Sequence, residues 1–269
     1  MKTKAILVVV VILLSTAGLV QAQEGQLSGT IDVTYMSRYI WRGFDIYPDE
    51  HSAIQPSISL NLWDTGFGAK VFMSMANGGH NNGTLGVDGT DEWLDCTLSY
   101  SNSVSANETY QMNYTVGWTY YSFPKVQRKY MDLQECFASV AWPNICPAGI
   151  VPSYTIVALW PSHESSTLNK SMDVSGWIHV VGLGYGLTVP GLTAGTPEQV
   201  INLSAAAVYN EGVLGADHDW SHAVFGASTS FDLGNDLTFT PGIYYQSSWE
   251  DSVNTSDEYW TSLSVSYAF

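Results

Sequence analysis

Charge is scarce in this chain, and positive charge is scarcest. Charged residues make up 13% of 269 positions, with nine Lys and Arg against 25 Asp and Glu. The net charge of −16 argues against nucleic acid as a partner, since no basic patch is available to neutralise phosphates, and is compatible with cations. Cysteine is limited to Cys96, Cys136 and Cys146. An odd count cannot build a fully paired disulfide framework, and the absence of C-x-x-C removes a zinc or redox reading. A bridge from Cys136 to Cys146 requires the chain between them to turn back, so buried or inward-facing thiols are expected. Catalytic signatures are missing too, with neither a G-x-S-x-G elbow nor His-Glu-x-x-His. The expectation is therefore no enzyme, no cofactor and no bound metal.

Long apolar runs are confined to the N-terminus. Lys2 and Lys4 precede the stretch Ala5 to Leu14, and Val20-Gln21-Ala22 supplies a small-residue cleavage site. Residues 1–22 thus read as a signal peptide, and residues 23–269 as one exported domain. Removing Lys2 and Lys4 leaves seven basic residues against 25 acidic ones. No later run approaches the roughly 20 apolar residues of a spanning helix, so any membrane position must come from strands.

What the chain does hold is alternation. With 10 Trp, 16 Tyr, 9 Phe and 24 Gly, it reads as twelve strand-like segments. These are 27–41, 54–62, 67–75, 91–100, 109–120, 134–142, 153–160, 173–189, 199–210, 220–231, 237–247 and 257–269. The fifth is the clearest: Tyr110, Met112, Tyr114, Val116, Trp118 and Tyr120 alternate with Thr109, Gln111, Asn113, Thr115, Gly117 and Thr119. The sixth is mixed on both faces. In the last, Leu263, Val265, Tyr267 and Phe269 oppose Ser264, Ser266 and Ala268. A final strand ending on Phe resembles the closing strand of bacterial outer-membrane barrels, which the assembly machinery reads.

The connections support this organisation. Links after even-numbered segments are compact, as at Asp64-Thr65-Gly66, 102–107 and Gly234-Asn235-Asp236. Those after odd-numbered segments (42–53, 77–90, 122–133 and 161–172) are longer or more polar. Such alternation suits an even-numbered antiparallel up-and-down barrel with both ends on the periplasmic side. Pro241 and the long link 190–198 fit poorly, and a bulge at Pro241 is the expected accommodation. The fold class is all-β, a transmembrane barrel of about twelve strands.

Closure of such a barrel places apolar faces toward lipid and small polar faces toward a lumen. Tyr39, Trp41, Trp63, Trp118, Tyr120, Trp160, Trp220 and Tyr259 lie near segment ends, where interfacial aromatic girdles are expected. Asp32, Arg38, Lys70, Asp91, Asp95 and Asp232 fall on inward faces and are the pore-lining candidates. Such charges either shape a hydrated passage or pair and plug it. Other polar clusters carry little chemistry. His218 and His222 straddle a loop and a strand start, which does not suit a metal. The acidic stretch 249–258 matches no EF-hand order and reads as a solvated face.

Ser37-Arg-Tyr-Ile-Trp-Arg-Gly-Phe44 resembles the start of the TorF-like porin family. Ala53-Ile-Gln-Pro-Ser57, Gln134-Glu135 and the aromatic C-terminus extend the likeness. The resemblance makes Tyr39, Trp41, Arg42 and Gly43 signature positions and implies transport. Physically, Gly43 permits a sharp bend where the first strand leaves the membrane, and Arg42 can reach acidic loops or lipid phosphates. The functional expectation is passive diffusion of small solutes or ions across the outer membrane of a Gram-negative cell. A non-conducting structural or adhesion barrel is the alternative, and a barrel hydrolase using loop histidines a more distant one. Expected partners are outer-membrane lipid, the assembly machinery and small solutes or ions.

Overall fold

A computed structural model of the protein describes residues 27–47, 51–78, 91–163, 173–191 and 198–269. The expected signal peptide, His80 and most of the links 77–90, 161–172 and 190–198 lie outside these residues. The strands in chain order are β1 (Ser28–Met36), β2 (Ile40–Trp41), β3 (Phe44–Asp45), β4 (Ser52–Asn61), β5 (Phe67–Asn77) and β6 (Glu92–Val104). They continue with β7 (Met112–Ser122), β8 (Leu133–Ala141), β9 (Val151–Pro161), β10 (Gly176–Val189) and β11 (Gln199–Glu211). The last are β12 (Asp219–Thr229), β13 (Phe231–Gly234), β14 (Leu237–Ser248) and β15 (Glu258–Ala268).

Each wall strand pairs antiparallel with its neighbours, from β1 through β4 to β12, then β14 and β15, and β15 returns to β1. With β12 and β13 counted as one interrupted strand, this is a closed twelve-stranded up-and-down barrel. Closure leaves no row of unpaired N–H and C=O groups, the condition for a sheet in hydrocarbon. The two faces divide as the alternation requires. Val33, Val71, Leu98, Leu183, Phe225 and Ile243 are among the exposed apolar residues of the exterior. Gln55, Ser74, Thr119, Glu135, Gln246 and Ser262 are buried within. A soluble protein would place these classes the other way round.

Pro241 is accommodated without a bulge. Ser228 pairs with Gly242 and Phe231 with Phe239, so the register is unchanged across the gap between β12 and β13. The ladder lapses only opposite Thr240 and Pro241, where proline has no N–H to donate. Register shifts occur elsewhere: between Asp232 and Gly234 opposite β14, and between β11 and β12, where Val208 pairs with His222 but Tyr209 pairs with Trp220. The extra residue, Ser221, is fully buried and donates to the Val208 carbonyl.

The first expected strand, 27–41, is corrected: β1 stops at Met36, and the chain then turns into the lumen. Tyr39 and Trp41 accordingly belong to the interior, while Trp118, Trp160, Trp220 and Tyr259 stand on the outward face and Trp63 on an exposed turn. The expectation for the thiols is also corrected, since Cys96 and Cys136 are free and exposed on the outer wall and Cys146 is half-buried in a turn.

The barrel seam joins β1 to β15 through seven register pairs, Thr30–Ala268 to Met36–Ser262. Gly29 and Phe269 extend it by exchanging backbone hydrogen bonds of 2.9 and 3.0 Å. A Cβ at Gly29 would stand 2.6 Å from the Ser59 carbonyl oxygen and 2.7 Å from the Phe269 ring. Gly29→Val is therefore expected to oppose closure. Heat-modifiable gel mobility after refolding should show a sharply reduced folded band for this variant, and an undiminished band would contradict the seam packing.

Candidate functional site: the lumen and its inward hairpin

The lumen has two unlike halves. At the end where β1 begins and β15 finishes, its walls present short polar side chains, including Ser57, Ser59, Thr97, Ser99, Thr115, Ser264 and Ser266, several of them linked across strands. At the outer end it is packed by the segment that follows β1. Ser37 ties that exit to β15, its amide donating to the Thr261 carbonyl and its hydroxyl accepting from the Thr261 amide, each at 2.9 Å. Strands β2 and β3 then form a hairpin, with Ile40 opposite Asp45 and Trp41 opposite Phe44.

Its two-residue turn is Arg42-Gly43, with φ of 54° and 92°. Positive φ at both central positions is the type I′ geometry that suits the twist of a tight hairpin. Glycine has a second reason to be there, because a Cβ at position 43 would lie 2.5 Å from the His222 ring. Gly43 does make a sharp bend, as expected, but inside the barrel rather than at a strand leaving the membrane.

Around the hairpin the outer lumen is a hydrophobic core. Tyr39, Phe44, Ile46 and Tyr47 are buried against Trp93, Tyr121 and Phe123 on one side and Val157, Leu159, Ile178 and Val208 on the other. Trp41 meets Trp93 and Tyr121 edge-on, with centroids 5.0 and 5.5 Å apart. Each large side chain buried this way stabilises by about 1.5–3 kcal/mol, so the hairpin is a seated part of the structure. Val213 and Leu214 of a short 3-10 turn, and Val253 of the loop before β15, complete the packing. The acidic stretch 249–258 is thus more than a solvated face: Val253 enters the core and Asn254 reaches the Gly43 carbonyl at 3.4 Å.

Two arginines fix the hairpin to separate parts of the wall. Arg38 pairs with Glu258 on β15, beside the strand from which the hairpin departs. Arg42 places Nη2 at 3.0 and 3.1 Å from the two carboxylate oxygens of Glu135 on β8. Four wall strands separate β8 from β1 in the sheet order, so this pair crosses the lumen. The Gly43 carbonyl also accepts a 2.8 Å hydrogen bond from Gln246 Nε2 on β14. Hydrogen bonds and ion pairs shielded by aromatic side chains are worth more than their solvent-exposed counterparts.

No protein-family profile matches the chain, and no curated protein sequence matches it. Solved structures do resemble it. The KdgM porin in complex with disordered oligogalacturonate aligns with a TM-score of 0.51 at 9% identity, over 89% of this chain and 99% of that one. An outer membrane channel from Pseudomonas putida F1 aligns at 0.47 and 11% identity, over 93% and 97% of the two chains. Outer membrane phospholipase A from Escherichia coli aligns at 0.45 and 10%, over 88% and 89%. At such identities the KdgM match shows a shared barrel fold and nothing finer.

The six charged positions expected to line a passage do not form one ring. Asp32 faces inward in the lower half and accepts from Thr34 at 2.7 Å and from Ser264. Lys70 faces inward from β5, its ammonium 5.5 Å from the centre of the Phe72 ring. Asp95 lies on the inward face of β6, two residues from Trp93 of the core. Arg38 sits on the inward segment rather than on the wall. Asp91 is at the outer rim, 2.7 Å from Lys125. Burial is the largest single influence on Lys125 and disfavours its charge, but the hydrogen bonds and charges of Asp91 and Glu92 together outweigh it and hold the pKa above the ordinary value. Asp232 lies in β13, at the opposite end of the barrel, and accepts from the Gly234 amide at 2.7 Å.

The charge-pattern reading missed Glu135, Glu258 and Gln246 as anchors. A signal for one existed, because Gln134-Glu135 is among the motifs that carry the family resemblance, and Glu135 holds the signature Arg42. His222, weighed with His218 as a metal ligand, is instead buried beside Gly43 and hydrogen-bonded to Ser221 at 2.9 Å. Among the described residues no three His, Cys, Asp or Glu side chains gather as a metal site.

Glu135→Ala leaves the Arg42 guanidinium without its partner inside the barrel. Breaking a buried pair from one side costs about 3 kcal/mol or more. Urea unfolding in lipid vesicles should show a loss of that order, and a loss near zero would contradict the hairpin's anchorage.

Proposed function

We propose that the protein is an outer-membrane porin-like barrel, related to the TorF-like group, that passes small solutes or ions and is closed at its outer mouth by the 37–47 hairpin. One observation carries this reading: a latched hairpin stands above a lumen lined by small polar groups. A purely structural barrel has no need for Ser, Thr and Gly at its lower inward positions, where larger side chains would fill the space and stabilise it. Passage then requires the hairpin to yield. The pairs Arg38–Glu258 and Arg42–Glu135 act as the latch.

In this reading residues 1–22 are removed on export and Phe269, with Leu263, Val265 and Tyr267, presents the closing strand to the assembly machinery. The inward carboxylates Asp32, Asp45, Asp95, Glu135 and Glu258 outnumber Arg38, Arg42 and Lys70. Cation preference therefore comes from the lumen as well as from the chain's overall acidity. Catalysis is disfavoured, since the Ser221–His222 pair is 0% and 2% exposed behind Gly43.

The filled outer lumen supports a second reading, a barrel that never conducts and acts through its outer surface. Single-channel recording in planar bilayers separates the two. The wild-type protein is expected to open rarely, and Glu135→Gln to raise the open fraction about ten-fold, the equivalent of one weakened charge pair. Silence of the folded wild type, of Glu135→Gln and of a variant with 38–47 replaced by a short Gly-Ser link would establish the non-conducting barrel.

A further inference from the structure

The outward wall of β9, β10 and β11 carries a polar cluster in an otherwise apolar surface. Tyr154, His179 and Glu211 all project outward, because their neighbours Val157, Ile178 and Val208 are buried in the lumen core and the registers pair His179 with Tyr209 and Val181 with Tyr154. The Tyr154 hydroxyl lies 2.7 Å from His179 Nδ1, and His179 Nε2 lies 3.4 Å from Glu211 Oε2. A carboxylate only accepts, so Nε2 carries a proton, and in the neutral ring Nδ1 accepts from the tyrosine. Beside them Tyr209 and Trp220 meet edge to face at 5.7 Å and 80°. The Tyr209 hydroxyl is turned away to the His218 carbonyl at 3.2 Å, and the indole of Trp220 remains 46% exposed.

The depth of this cluster identifies its surroundings. His179 lies three residues from the outer end of β10, about 10 Å along the strand and about 7 Å in depth for a typical barrel tilt, whereas Tyr154 lies seven residues below the outer end of β9 and reaches up to His179 from the hydrocarbon side. Glu211 is the last residue of β11, and its side chain is 44% exposed. An acid and a histidine facing acyl chains would be costly, whereas at this level they meet the headgroups of the outer leaflet. A carboxylate with free acceptor capacity, a tyrosine–histidine relay and exposed aromatic faces together match a hydroxyl-rich ring. They do not match a phosphate, which Glu211 would repel and which calls for the Lys or Arg that no described member of the cluster supplies.

We propose that His179, Glu211 and Trp220, with Tyr154 orienting the His179 ring from below, form an exterior site for the sugar headgroup of an outer-leaflet glycolipid. Glu211 and His179 hold ring hydroxyls, and the apolar face of the sugar lies on Trp220. The inference rests on the outer-membrane reading but not on conduction.

Native mass spectrometry of the refolded barrel, released from nanodiscs containing deep-rough lipopolysaccharide or its dephosphorylated form, tests it. Heat-modifiable mobility and nanodisc insertion first verify the barrel, so their failure would indict the membrane reading itself. One glycolipid should remain bound in both preparations, with retention falling about ten-fold in Glu211→Gln and in Trp220→Leu, as expected for losing one charge-assisted hydrogen bond or one stacked face. Retention unchanged in both variants, lost on dephosphorylation, or matched by phosphatidylethanolamine would overturn the sugar site.

Discussion

Every backbone N–H and C=O that crosses hydrocarbon needs a partner, and in this protein that requirement is met by closing the sheet between β1 and β15. The rest of the structure follows from closure. Twelve strands enclose more volume than their inward side chains can fill, so the lumen must hold water or another part of the chain. Here it holds both kinds of lining. The segment after β1, instead of rising as a surface loop, turns back into the barrel and brings its own apolar residues, while the lower half keeps short polar groups. The inward hairpin creates a second requirement, because two arginines carried into a protein interior need carboxylates. Glu258 and Glu135 supply them from different parts of the wall.

Much of the fold was legible in the residues. Alternation of period two reports which face of a strand meets lipid, and in β7 and β15 it does so cleanly because both environments are uniform along the strand. The number of wall strands follows from counting such segments. The alternation failed at residues 37–41 for a physical reason. Tyr39 and Trp41 continue the outward parity of Tyr35, but that pattern is indistinguishable from a strand's when aromatics serve an interior core. The break is encoded immediately afterwards, in Arg42-Gly43, whose positive-φ pair belongs to a hairpin. The same ambiguity affected β8, where Leu133 and Phe137 face inward against the core and Gly117, so that apolar residues occupy both faces.

The charged residues were harder to read, because a charge on an inward face gives no information about height or partner. Asp32 and Lys70 do line the wall, whereas Asp91 and Asp232 lie at opposite rims, and Arg38 is not on the wall at all. The anchor Glu135 was visible only as part of a motif that resembles one of the TorF-like porin family, with Arg42 distant in sequence and no local pattern joining them. Outside the barrel, Tyr154, His179 and Glu211 sit on three successive strands, so only the register brings them together. Interior and exterior sites therefore share a feature: side chains remote in sequence are assembled by strand pairing alone, on a wall whose rigidity then holds them in place.

The hairpin crosses the lumen and is held there by Arg42 and Glu135. A double-mutant cycle of unfolding free energies in lipid vesicles, using Arg42→Met, Glu135→Leu and the double variant, measures that contact. Direct contact predicts that the double variant loses less stability than the two single variants combined, with a coupling of about 1 kcal/mol or more, since each single change strands the other partner. Strict additivity would mean that the two residues do not meet, and that the hairpin does not occupy the lumen in the way described.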